Sequence, residues 1–207
     1  MKIFVLGLPK SGRSIVAHAI TDYLATHRYR KAVYIDAMTW IKDSFREQKQ
    51  GEHSHHYEDE YHHFLSIRRT TNPSLVIDHL NKLITDHWPV NVFVIDGIAS
   101  PKDFAELFDY RQDVVIFLNR TDNIAEFKDH ENIGVSVMRD YCFWMASAGL
   151  LTKEKWLEFN FKIPGDEADF VKELGSKNSV FIVRSINKAI SLMVEKLSHL
   201  LPDIQCK

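Results

Sequence analysis

Cysteine is almost missing from this sequence. The 207 residues include only Cys142 and Cys206, far apart and in no Cys-x-x-Cys or Cys/His grouping. That excludes a disulfide-stapled miniprotein and a thiolate metal centre, and it suits a reducing cytoplasm. Glycine (8) and proline (6) are scarce as well, which excludes collagen-like and low-complexity chains. No long hydrophobic run occurs. The first apolar stretch, Ile3 to Leu8, is six residues long and ends in a Pro-Lys-Ser-Gly turn, whereas a membrane span needs about 20. Neither sign of charge dominates: 26 Lys and Arg stand against 28 Asp and Glu, a formal charge of −2. No global attraction to nucleic acid or to an anionic membrane is therefore built in. What remains is a globular composition, 45% hydrophobic and 26% charged, in a length that fits one domain with its own core. A soluble, cytoplasmic protein is expected.

Short β-rich apolar runs recur at Lys2–Leu6, Ala32–Ile35, Asn91–Ile95, Asp113–Leu118 and Ser179–Val183, with helical patterns between them. The alternation reads as α/β with a mostly parallel sheet of five strands. Runs that are apolar almost throughout are those of strands covered on both faces. Helical spacing marks Gly12–His27, Ser74–Trp88 and Ile186–Leu201. Asn72-Pro73 and Ser100-Pro101 read as N-cap and first helical residue of two helices. Two stretches, 38–71 and 121–177, exceed ordinary connection lengths and read as helical insertions over an active site.

After the first strand comes Gly7-Leu8-Pro9-Lys10-Ser11-Gly12-Arg13-Ser14. It matches the phosphate-loop pattern G-x-x-x-x-G-K-[ST] except that Arg13 takes the lysine position. A phosphate loop leaves a buried strand, presents successive backbone N–H groups to an anion and opens a helix whose dipole faces that anion. Gly7, Lys10, Ser11, Gly12, Arg13 and Ser14 are accordingly the expected nucleotide-binding residues. Arg13 would hold the β- and γ-phosphates of ATP, Ser14 would place a hydroxyl on Mg²⁺, and Lys10 is a second cation in the loop.

With these residues the chain resembles the P-loop kinases of the nucleoside monophosphate kinase and small-molecule kinase group. The resemblance covers most of the chain, although only the first motif is specific. It implies a three-layer P-loop NTPase fold for a single domain of residues 1–207, an acid after strand two, an Asp-Gly step after strand three and basic residues near strand four. Asp36, Asp96-Gly97 and Arg120 hold those positions. Asp36 would be the general base for an acceptor hydroxyl or cap the next helix. Asp96 would hold Mg²⁺ or its water. Arg120 and Arg139 could reach the transferring phosphates, and Arg68 and Arg69 could anchor an acceptor phosphate. The sequence departs from adenylate kinase, whose lid is arginine-rich, since 121–177 contains only Arg139.

Five of the eleven histidines fall between His53 and His63, beside four acids. Glu58/His62 and Asp59/His63 have i,i+4 spacing, so this segment is an acid-paired helix face, a lining of the acceptor pocket or a metal-binding module. Tyr141-Cys142-Phe143-Trp144-Met145 reads as a helix packing into the core, with a base-stacking platform as the alternative. The leading expectation is an ATP- and Mg²⁺-dependent kinase acting on a nucleotide or a related small hydroxyl or phosphate acceptor. A phage-type kinase acting on a hydroxymethylated pyrimidine in DNA and an inactive nucleotide-binding regulatory protein are the alternatives. The sequence leaves the oligomeric state open.

Overall fold

In a computed structural model, the chain is described over residues 1–7, 11–26, 31–49, 57–120, 130–161, 180–183 and 186–200. Strand β1 (Lys2–Gly7) leads into α1 (Arg13–Thr26), followed by β2 (Ala32–Asp36) and three helices, α2 (Thr39–Gln48), α3 (Tyr57–Thr71) and α4 (Leu75–Asp86). Then come β3 (Val92–Asp96), α5 (Pro101–Leu107), β4 (Val114–Arg120), α6 (His130–Ser147), β5 (Trp156–Phe161), β6 (Val180–Val183) and α7 (Ile186–Leu200). The strands form one sheet in the order β2-β3-β1-β4-β5-β6, every neighbouring pair parallel.

The alternation of side chains along each strand builds two cores. Ile3, Val5, Val94, Ile116 and Phe159 face α1 and α7, where Val16, Ile20, Met193 and Leu197 meet them. Phe4, Leu6, Ile95 and Phe117 face the opposite layer, packed by Ile41 of α2, Leu80 of α4, Phe104 of α5 and Met138 of α6. Phe4 makes an edge-to-face contact with Phe104 at 5.3 Å. The result is the expected α/β three-layer arrangement, with the carboxyl ends of all the strands on one edge.

The sheet also includes Trp156–Phe161, which lies inside the stretch read as the second insertion. Its apolar residues Leu157 and Phe159 are buried on the α1 side, but Glu158 and Asn160 are buried on the other. Those polar groups interrupt the apolar run that marks a fully covered strand. They are tolerated because Asn119 Nδ2 donates to Glu158 (2.6 Å) and to Asn160 (3.0 Å), and Arg139 pairs with Glu158 at 2.6 Å. A second difference concerns α4. Asn72 and Pro73 form a turn between α3 and α4, in which Asn72 Oδ1 accepts from Ser74 N at 3.0 Å, and the helix begins only at Leu75. Ser100 does cap α5, accepting from Asp103 N with Pro101 in the first turn.

Candidate nucleotide and acceptor site

The end of β1 is shaped by what it cannot hold. A Cβ on Gly7 would stand 2.4 Å from the Leu118 carbonyl oxygen and 2.7 Å from Ser11 Oγ, so only glycine fits between β4 and Ser11. Gly12 has φ +83°, open to glycine at little cost, and its carbonyl accepts the first bond of α1 from Val16 N at 3.0 Å. Ser11 Oγ is buried without a hydrogen-bond partner among the described residues. A cradle too tight for a side chain, with an unsatisfied hydroxyl beside a helix N-terminus, fits a phosphate group. Lys10, with Leu8 and Pro9, lies outside the described residues. Gly7→Ala is expected to lose nucleotide binding and about 1–3 kcal/mol of stability by overpacking against backbone; titration with ATP alongside urea melts would check it.

Ser14 Oγ donates to Asp96 Oδ2 at 2.7 Å. Asp96 is only 2% exposed, and its other oxygen accepts from Gly97 N at 2.6 Å while Arg13 Nε lies 3.7 Å away. A hydroxyl on the loop helix touching a buried carboxylate on the adjoining strand is a donor set that fits Mg²⁺, a hard cation preferring oxygen. Arg13, at the lysine position of the motif, leans toward this carboxylate.

Parallel pairing of β2 with β3 places Asp36 opposite Asp96. Asp36 Oδ1 accepts from Met38 N at 2.9 Å, so it fixes the turn into α2. Gly97, at φ +83°, is glycine for a second reason, since a Cβ there would meet Asp36 Oδ1 at 2.7 Å. Both carboxylates open on a cavity of about 570 Å³, shared by the loop helix with α2, α3 and the β3–α5 turn. Arg13, Ser14, Lys42, His62 and Arg69 bring its polar groups, and Met38 and Leu65 bring apolar ones.

The two arginines of α3 separate. Arg69 reaches the cavity and pairs with the buried Asp103 at 2.5 Å, while its Nε has no hydrogen-bond partner among the described residues. Burial pushes the Asp103 carboxyl up and Arg69 opposes that shift. Arg68 instead lies over the Phe64 ring at 5.1 Å and does not line the cavity. Arg139 is held on Glu158 at β5. Arg120 ends β4 beside the loop strand, and its side chain lies outside the described residues. Of the histidine segment, His62 lines the cavity, and His53, His55 and His56 lie outside the described residues. No group of three or more His, Cys, Asp or Glu side chains able to hold a metal occurs among the described residues.

Sequence reasoning missed Tyr34 and Lys42. Tyr34 stands two residues before Asp36 on β2, and its hydroxyl is pushed up to about 12 by burial and by the charges of Asp96 and Asp36. It stays protonated, with its ring against that of His18 at 3.9 Å. The period of two that puts Tyr34 and Asp36 on one strand face was the available signal. Lys42, one helical turn after Met38, carried none.

No protein-family profile matches the chain, and no curated protein does. Among solved structures, a plasmid partition protein from Borrelia burgdorferi superposes with a TM-score of 0.50 at 16% identity, covering 97% of this chain and 99% of that one. A thymidylate kinase from Ehrlichia chaffeensis gives a TM-score of 0.37 at 12% identity over 83% of this chain and 93% of that one. No helix among the described residues is long and apolar enough to cross a membrane. The chain shares the three-layer α/β fold of that partition protein, with two strand-end acids and a cavity on one edge of a parallel sheet.

Proposed function

We propose that this protein is an ATP- and Mg²⁺-dependent kinase that transfers the γ-phosphoryl group to a nucleotide or a related small acceptor. The observation that carries this reading is the Ser14–Asp96 contact at the wall of a cavity that also holds Asp36 and Arg69. Backbone N–H groups at the start of α1 hold the phosphates, and Arg13 turns from Asp96 toward the β- and γ-oxygens. Ser14 and Asp96 would hold Mg²⁺, which would supply neutralisation of the charge on those oxygens. The acceptor lies in the cavity, its ring between Met38 and Leu65 and its anionic group on Arg69. Asp36 takes the acceptor hydroxyl proton on Oδ2, since Oδ1 already serves Met38 N. The acceptor oxygen bonds to the γ-phosphorus as the bond to the β,γ-bridging oxygen breaks, and ADP leaves. Catalysis is then chiefly positioning and charge stabilisation.

Incubation with γ-labelled ATP and a panel of nucleotides, nucleosides, small alcohols and modified oligonucleotides tests this. Label on a free nucleotide supports it. Nucleotide-dependent thermal stabilisation with no labelled product would replace it by a regulatory nucleotide-binding protein. Label preferentially on the oligonucleotide, with steep salt dependence, would replace it by a DNA-modifying kinase.

Arg69→Lys keeps a charge for Asp103 but removes the planar fork. The acceptor KM is expected to rise about tenfold, with the ATP KM nearly unchanged. Steady-state kinetics with each substrate varied would show it, and equal rises in both would count against Arg69 as an acceptor residue.

A further inference from the structure

On the side away from the sheet, α6 has an outward face unlike that of a solvated helix. Eight large apolar side chains are exposed among the described residues, and five of them lie on α6 or the turn after it. They are Ile133 (61% exposed), Val137 (45%), Phe143 (45%), Trp144 (61%) and Leu150 (43%). With about 100° per residue, Ile133, Val137 and Trp144 fall within about 40° of one another on the helix. The opposite side, Val135, Met138, Cys142 and Met145, is buried on the sheet. The part of Tyr141–Met145 that points inward therefore packs into the core, as the sequence suggested, while Phe143 and Trp144 point outward. Between the outward apolar residues stand Ser136, Asp140 and Ser147, with one charge among them. A helix that is apolar all round belongs in an interior.

We propose that this face is the docking surface for a second copy of the chain, α6 against α6 about a two-fold axis. Area is the first argument. From their exposures, the five side chains present on the order of 500 Å² of apolar surface per copy. A two-fold contact uses the same patch twice. It would therefore bury about 1,000 Å² from these residues alone, the size at which specific interfaces begin. Charge is the second argument. Arg139, the one exposed cation of α6 outside its first turn, is already paired with Glu158. Among the described residues α6 thus brings no further cation to the rim that an anionic lipid surface or nucleic acid would need. What complements an apolar patch with one charge is another such patch.

Sedimentation equilibrium and light scattering from about 1 to 100 µM, the range of a modest interface, test the proposal. The expected species is twice the 24.1 kDa of the chain. The pair Val137→Glu with Trp144→Asp should raise the dimer dissociation constant about thirtyfold or more, as loss of an aromatic anchor does. Trp144→Ser alone should give a smaller shift in the same direction, and it decides the matter if the pair variant does not fold by circular dichroism. Trp88→Asp removes the most exposed large apolar side chain among the described residues, 80% exposed, which lies just past α4, and should leave the dimer intact. A chain monomeric throughout this range would overturn the proposal, whether another protein or part of the same chain covers the face. So would a dimer indifferent to the α6 substitutions, or one equally weakened by Trp88→Asp.

Discussion

Asp96→Asn is expected to lower phosphoryl transfer by about 10²–10³-fold, the loss seen when one preorganised electrostatic partner of a transition state is removed. The substitution is nearly isosteric, so the sheet should survive. Gly97 N can still donate to the amide oxygen at the Oδ1 position, but an amide nitrogen at Oδ2 faces Ser14 Oγ, where the carboxylate accepted a bond at 2.7 Å. Ser14 must then turn its hydroxyl proton away, and the pair no longer offers a cation an anion beside a lone pair. Arg13, 3.7 Å from the same carboxylate, loses its nearest counter-charge. Activity should therefore fall with a higher Mg²⁺ requirement, read as a right-shifted Mg²⁺ titration of the rate. An unchanged Mg²⁺ profile would dissociate Asp96 from the metal and leave it a structural turn residue.

This site was legible where chemistry is local in the chain and obscure where it is assembled. The loop could be read because Gly7, Gly12 and Ser14 follow a buried strand within a few positions, and Asp36 and Asp96 could be read because each ends an apolar run. Arg68 and Arg69 could not be told apart. Adjacent residues on a helix point about 100° apart, and only folding decides that one meets Asp103 and the other Phe64. Strand β5 was hidden for a related reason. Glu158 and Asn160 look like solvated positions until Asn119 and Arg139, distant in sequence, supply their partners. The outward side of α6 ran the other way: periodicity showed an apolar helix, and the sequence could not say that its second face would be left exposed. Sequence pattern reports how much apolar surface an element carries, and the layer it joins determines how much of that surface is covered.

Asp36→Asn is expected to cost about 10²–10⁴-fold in transfer if the acceptor is a hydroxyl, the usual worth of a positioned general base. The structure gives this variant a clean interpretation. Oδ1 accepts from Met38 N at 2.9 Å, and an asparagine amide oxygen can take over that bond, so the turn into α2 and the cavity wall persist. Only the second oxygen changes, from a proton acceptor to an amide donor. ATP binding, which we propose rests on the loop and α1, should stay within about twofold, so the loss should fall on kcat and leave the ATP KM alone. The acceptor's own chemistry decides the size of the effect. A phosphate acceptor attacks through an oxygen that is already ionised near neutral pH and needs no base. Full activity in a folded Asp36→Asn enzyme would therefore assign the acceptor to the phosphates and leave Asp36 as the residue that shapes the β2–α2 turn. A fall of a hundredfold or more, with the acceptor KM unchanged, would assign it to the hydroxyls, with Oδ2 as the proton's destination.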